Sequence, residues 1–164
     1  MTLPNRKHTR LSGFDYSSIN TYFVTLCTKN KEKILSEIIV GNGVLDIPQI
    51  KLSAFGKIAE KYILQLNDFY DHISVENHII MPNHIHLLIR IDDVCGASGT
   101  PHPTNMELPK FISTFKRFCN KEYGLNIWQT SYHDHIVRNE DDYNKIWQYI
   151  ENNHLKWTDD IYFE

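Results

Sequence analysis

Cysteine is scarce in this chain: Cys27, Cys95 and Cys119 are three residues of 164, far apart and without a C-x-x-C spacing. That excludes a disulfide framework and a cysteine zinc site, and it fits a reducing cytoplasm. Long apolar runs are missing too, and no stretch approaches the about 20 residues of a membrane-spanning helix. The start, Met1-Thr-Leu-Pro-Asn-Arg-Lys-His-Thr-Arg10, is polar and basic with no apolar segment behind its charges, so it does not read as a signal peptide. Internal repeats are absent. What is present, 41% hydrophobic residues with 12% aromatics, suits one globular domain over 1–164 with a sizeable core.

The net charge of -3 is unevenly spread. Residues 1–33 carry Arg6, Lys7, Arg10, Lys29, Lys31 and Lys33 against Asp15 and Glu32, and 1–15 read as a basic arm. Residues 110–121 add Lys110, Lys116, Arg117 and Lys121 with no acid among them, whereas 139–164 hold seven acids against Lys145 and Lys156. Such asymmetry fits a basic face that follows a phosphate backbone; ordinary surface variation is the other reading.

Tyr22–Thr28 is rich in β-branched and aromatic residues and predicts a strand. A second strand near Lys33–Val40 runs into the turn signal Gly41-Asn-Gly43, which predicts a hairpin-like excursion. Phe55, Ile58, Ala59, Tyr62, Ile63 and Leu66 recur at helical spacing behind a candidate N-cap, Ser53. The β-rich block Ile73–Ile91 is split by Met81-Pro82-Asn83, which predicts two strands joined by a tight turn, or a bulge at an edge. Residues 93–105 read as a flexible loop. A helix over Met106–Tyr123 is stopped by Gly124, Tyr132–Val137 forms a strand, and a last helix follows the N-cap Asn139 to about Asn153. This order predicts an α+β fold, a ferredoxin-like sandwich of an antiparallel sheet with helices on one face.

Two clusters carry chemistry. In Asn83-His84-Ile85-His86 the histidines stand at i and i+2 of a strand, on one face and about 7 Å apart along the chain. Side by side they can supply two ligands to one divalent metal; as outward polar residues of a half-buried strand they would do nothing. On the last helix, Tyr149 and Asn153 are one turn apart on one face. An amide oxygen suits a hard cation and a phenol is a possible nucleophile, although a capping Asn and a packed Tyr would look the same. Tyr143 is out of phase with Tyr149, Glu151 faces elsewhere, and His78 reads as structural. His133 and His135 form a second His-x-His, on a strand expected beside the first, and are a rival metal site. The three tryptophans read as packing residues.

Met81-Pro-Asn-His-Ile-His-Leu-Leu-Ile89 resembles the His-hydrophobic-His signature of the HUH endonucleases, and more narrowly that of the single-tyrosine transposases of small insertion sequences. Tyr22–Thr28 resembles that family's opening strand, Phe111–Arg117 its Lys-bearing middle helix, Trp128–Arg138 its Trp-Gln…Asp-His…Arg block, and Tyr149-Ile-Glu-Asn-Asn153 its nucleophile helix. The basic N-terminal run and the Trp-Gln block favour the REP-associated branch. The resemblance implies an HUH-type ferredoxin-like fold and a metal-dependent enzyme that nicks and rejoins single-stranded or hairpin DNA. It makes His84, His86 and Asn153 ligands of Mg²⁺ or Mn²⁺ and Tyr149 the nucleophile, through a 5′-phosphotyrosine. DNA contacts would come from Arg6, Lys7, Arg10, Lys110, Lys116, Arg117 and Lys121. It allows a monomer or a homodimer. His154 stands where the family often has proline. Two rivals are a non-catalytic, domesticated hairpin-DNA-binding protein, and a small metal-dependent hydrolase that gives Tyr149 no role.

Removing residues 1–10 is expected to weaken binding to a hairpin target and to flatten the dependence of log affinity on log salt by about 2–3, since each phosphate contact contributes about 0.7–0.9. Fluorescence anisotropy across a salt series measures both; unchanged affinity and slope would remove the arm from recognition.

Overall fold

The computed structural model describes residues 20–40, 47–92 and 107–159. The basic arm with Arg6, Lys7 and Arg10, the Gly41-Asn-Gly43 turn, the 93–105 loop and Cys95 lie outside the described residues.

Four strands form an antiparallel sheet in the order β4-β5-β1-β6: β1 is Asn20–Cys27, β4 Ile73–Ile80, β5 His84–Ile91 and β6 His133–Ile136. Helix α1, Ala54–Phe69, links β1 to β4, and α2, Glu107–Tyr123, links β5 to β6. Each link spans a strand-helix-strand unit with another strand between its two strands, the split arrangement of a ferredoxin-like fold. The Pro82 turn is tight, with the Met81 N–H donating to the His84 carbonyl at 2.9 Å. Between β1 and α1, β2 (Ser36–Ile39) and β3 (Gln49–Leu52) pair as a separate two-stranded ribbon.

Alternation along β1 and β5 divides the core. Tyr22, Val24 and Leu26 with Ile85, Leu87 and Ile89 face α1 and α2, where Ala59, Ile63, Phe111 and Phe115 cover them. The opposite face presents Phe23 and Leu88, and α3, Glu140–Asn152, covers it with Ile146 and Ile150. The expectation of helices on one face therefore holds for α1 and α2 only. The third lies across the other side, where His84, His86 and Leu88 of β5 are buried beneath it. The sheet is buried on both faces, and the antiparallel α+β class stands.

Local chemistry sets the helix ends. The Ser53 hydroxyl accepts from the Gly56 N–H at 3.1 Å, and Asn139 accepts from the Asp142 N–H at 2.9 Å. Gly124 ends α2 at φ +72, the left-handed conformation that glycine takes without strain. Gly56 is needed for another reason. A Cβ there would collide with the backbone carbonyl oxygen of Leu35. Gly56→Ala is therefore expected to destabilise the protein by about 1–3 kcal/mol, the usual range of overpacking, read as a lower urea midpoint with an unchanged slope.

Candidate active site

β5 lays His84 and His86 on the face covered by α3, 0% and 1% exposed. Their ring centroids are 4.5 Å apart and their Nε2 atoms 3.1 Å apart. The other ring nitrogens are held from behind, His84 Nδ1 by Asn83 Oδ1 at 2.8 Å and His86 Nδ1 by Thr25 Oγ1 at 2.9 Å. An amide oxygen only accepts, so His84 carries its proton on Nδ1 and points a lone pair forward from Nε2. Burial first, and the adjacent His84 second, hold the His86 pKa well below the ordinary imidazole value, so that ring is neutral near pH 7. Thr25 both donates and accepts. With the His86 proton on Nε2, that nitrogen donates to His84 and Thr25 donates to Nδ1. With the proton on Nδ1, Thr25 accepts it and both Nε2 lone pairs converge.

Such a pair fits a divalent ion. A separation of 3.1 Å between the nitrogens matches adjacent positions around a metal with bonds of about 2.0–2.1 Å. An acceptor behind each imidazole, taking the proton of the ring nitrogen away from the metal, is what orients metal-binding histidines elsewhere. Among the described residues no group of three or more His, Cys, Asp or Glu could hold a metal. A third protein donor would have to be of another type, and an amide oxygen qualifies.

α3 brings the remaining groups. The Tyr149 hydroxyl lies 3.5 Å from His86 Nε2, its ring meets Phe23 edge-on at 5.8 Å, and the residue is 42% exposed. Eight residues on, in the 3₁₀ segment Asn153–Asp159, the Trp157 ring stands 6.0 Å from that of His84. Asn153 falls midway between these two contacts, buried at 4% exposure, as the C-cap of α3. The stripe Tyr149, Asn153, Trp157 thus runs from one histidine to the other. The helix end it crosses carries the partial negative charge of the macrodipole, which favours a cation.

No protein-family model matches the chain. An uncharacterized protein of Haemophilus influenzae is 28% identical over 172 residues, covering 95% of this chain and 92% of its own. Among solved structures, a REP-associated tyrosine transposase bound to a REP hairpin aligns over 90% of this chain and 73% of its own, with a TM-score of 0.63 and 17% identity. The chain has the fold of that transposase. A candidate transposase from Deinococcus radiodurans aligns over 88% of this chain and 98% of its own at 20% identity, with a TM-score of only 0.40.

Within this transposase fold the other expected residues are dispersed. β6 pairs with β1, not β5, so the second His-x-His is one strand away from the first: His133 stands opposite Thr25 and His135 opposite Phe23. His135 Nε2 is 2.9 Å from Asp142 Oδ2, tying β6 to the first turn of α3. Glu151 accepts from Trp147 Nε1 at 2.8 Å, and Tyr143 packs on Trp147, its pKa raised by burial. The cations of α2 lie beyond the opposite face of the sheet. Lys110 contacts Glu107 at 3.1 Å, and Arg117 and Lys121 are exposed. Lys116 places its ammonium 2.7 Å from the Gln129 carbonyl and 3.1 Å from that of Ser131, and burial pulls its pKa down to about 8. Thr25, Asn83, Phe23 and Trp157 are contacts of the site that motif spacing alone does not reveal.

Thr25→Val keeps the shape and removes the hydroxyl behind His86. It is expected to weaken Mn²⁺ binding about 10–100-fold, the usual cost of losing such a partner, with His86→Ala weaker still. Calorimetric titration reads both, and wild-type affinity in both variants would remove the metal from this site.

Proposed function

We propose that this protein is a single-tyrosine transposase of the REP-associated kind, which cuts and rejoins single-stranded DNA at hairpin repeats. The observation that carries this is the Tyr149 hydroxyl, 3.5 Å from the nitrogen of a buried histidine pair whose two Nε2 atoms converge. The shared fold with a transposase solved on a REP hairpin supports a hairpin target.

His84, His86 and Asn153 would hold a Mg²⁺ or Mn²⁺ ion, which when bound supplies Lewis-acid neutralisation of the phosphate charge. The chain's own groups do the rest. Phe23 and His86 flank the Tyr149 ring and fix its hydroxyl at the mouth of the site, while its exposed side admits a DNA strand. The Tyr149 oxygen attacks phosphorus, the bond from phosphorus to the 3′-oxygen breaks, and the phenolic proton passes through solvent to that oxygen. The products are a 5′-phosphotyrosine and a free 3′-hydroxyl. One phosphodiester replaces another, so a second 3′-hydroxyl can reverse the step without ATP. A pure hairpin-binding protein needs neither the buried histidine pair nor a tyrosine hydroxyl against it.

Tyr149→Phe removes one oxygen and leaves the ring packing intact. It is expected to retain hairpin-DNA and Mn²⁺ affinity within about twofold while losing nicking and the covalent adduct altogether, with Tyr143→Phe remaining active. Denaturing gels detect the adduct and mass spectrometry of a digest locates it. A nucleotide found on Tyr143, or no adduct from wild type, would overturn the assignment.

A further inference from the structure

The cations given to DNA by motif resemblance on α2 lie across the sheet from the histidine pair, whereas another basic surface stands beside that pair. The segment just past β1 has the right place and charge. Cys27, the last residue of β1, stands opposite His84. The chain then arches over the β4–β5 turn, with Thr28 N–H donating to the Asn83 carbonyl at 2.9 Å and Leu35 N–H to the Pro82 carbonyl at 2.9 Å. Lys29 N–H donates to the Ile127 carbonyl at 2.7 Å, which ties the arch to the α2–β6 loop. The arch is Lys29-Asn30-Lys31-Glu32-Lys33: three lysines against one glutamate, all exposed except the half-buried Lys31.

Two further observations point to a role for it. Asn30 and Lys31 sit at φ 52 and 54, left-handed backbone that side chains rarely adopt and that persists where the surroundings enforce it. Lys33 Nζ lies 5.8 Å from the centre of the Trp157 ring, the same ring that stands 6.0 Å from His84. A cation is thus held over an aromatic face at the edge of the site. At the other end of β5, Arg90 contacts Asp92 at 2.7 Å and Glu76 at 3.6 Å.

We propose that Lys29, Lys31 and Lys33 form the track on which the backbone of single-stranded DNA enters the site, Lys33 taking the phosphate nearest His84. This rests on the DNA chemistry proposed above, and binding without metal or cleavage tests it separately. The measurement is anisotropy of a labelled, hairpin-free oligonucleotide with full-length Tyr149→Phe protein in EDTA, across a salt series. Replacing Lys29, Lys31 and Lys33 together by Gln is expected to weaken binding about tenfold and to lower the salt slope by about 2, at about 0.7 per contact with a single strand. Replacing all three by Arg should restore both, which packing damage would not allow. Lys110→Gln with Arg117→Gln and Lys121→Gln should leave the slope unchanged. If the arch variant keeps the wild-type slope while wild type still forms the tyrosine adduct, the track is wrong and the chemistry stands. The track is equally wrong if duplex DNA binds more tightly than the single strand. If the wild-type chain neither binds single strands nor forms an adduct, both proposals fall.

Discussion

Eight residue pairs between β1 and β5, from Asn20 opposite Ile91 to Cys27 opposite His84, set the position of the histidine pair and of the groups behind it. Thr25 meets His86 only in this register. A slip of one residue would turn the side chains of one strand to the other face, exchanging the histidines for Ile85 and Leu87. The apolar half of β1 and β5 opposes that slip, because Tyr22, Val24, Leu26, Ile85, Leu87 and Ile89 are all completely buried against α1 and α2. Hydrophobic packing on one face therefore specifies polar geometry on the other. The histidines contribute little to choosing the register; they depend on it.

The opposite face gains its cover from a single helix, and its direction matters. Glu140, Asp141 and Asp142 lie in the first turn of α3, where the helix dipole favours acids, and the helix ends at Asn153, one turn past the tyrosine that meets His86. The acids of α3 thus do not crowd the site as a block. Three are at the far end of α3, and Glu151 is turned outward onto Trp147. The lysines of the arch stand at the near end. Among the described residues, the acids of the first turn of α3 and the lysines of the arch therefore stand at opposite ends of that helix.

What could be read from the sequence was local in origin. Ser53, Asn139 and Gly124 act where a cap or a left-handed residue acts anywhere, and the Pro82 turn separates β4 from β5 as its residues demand. His84 with His86, and Tyr149 with Asn153, share faces because strand and helix periods place them so. Relations across the sheet were not legible. Nothing in residues 20–27 names β5 as a neighbour, so the hydroxyl of Thr25 gave no sign of its histidine, and β6 was expected beside the wrong strand. The side taken by α3 is likewise a tertiary outcome, since an amphipathic helix carries no mark of which face of a sheet it will cover. The turn signal after Val40 announced a hairpin, and β2 and β3 form it, but Gln49–Leu52 is four residues long, too short for a period to mark its bounds.

The division of the core into unequal parts also bears on motion. Among the described residues, 21 buried side chains join the sheet to α1 and α2, whereas six hold α3 and its 3₁₀ extension on the other side. A helix held by the smaller cluster separates from its sheet at lower free energy than global unfolding requires. Amide protons of α3 should accordingly exchange through partial opening, while those in the centre of β1 and β5 wait for the whole molecule. Each such opening carries Tyr149 away from His86 and leaves the histidines with Thr25 and Asn83 behind them undisturbed. A strand joined covalently to that tyrosine would travel with the helix, so breathing of the fold and displacement of the bound end become one movement.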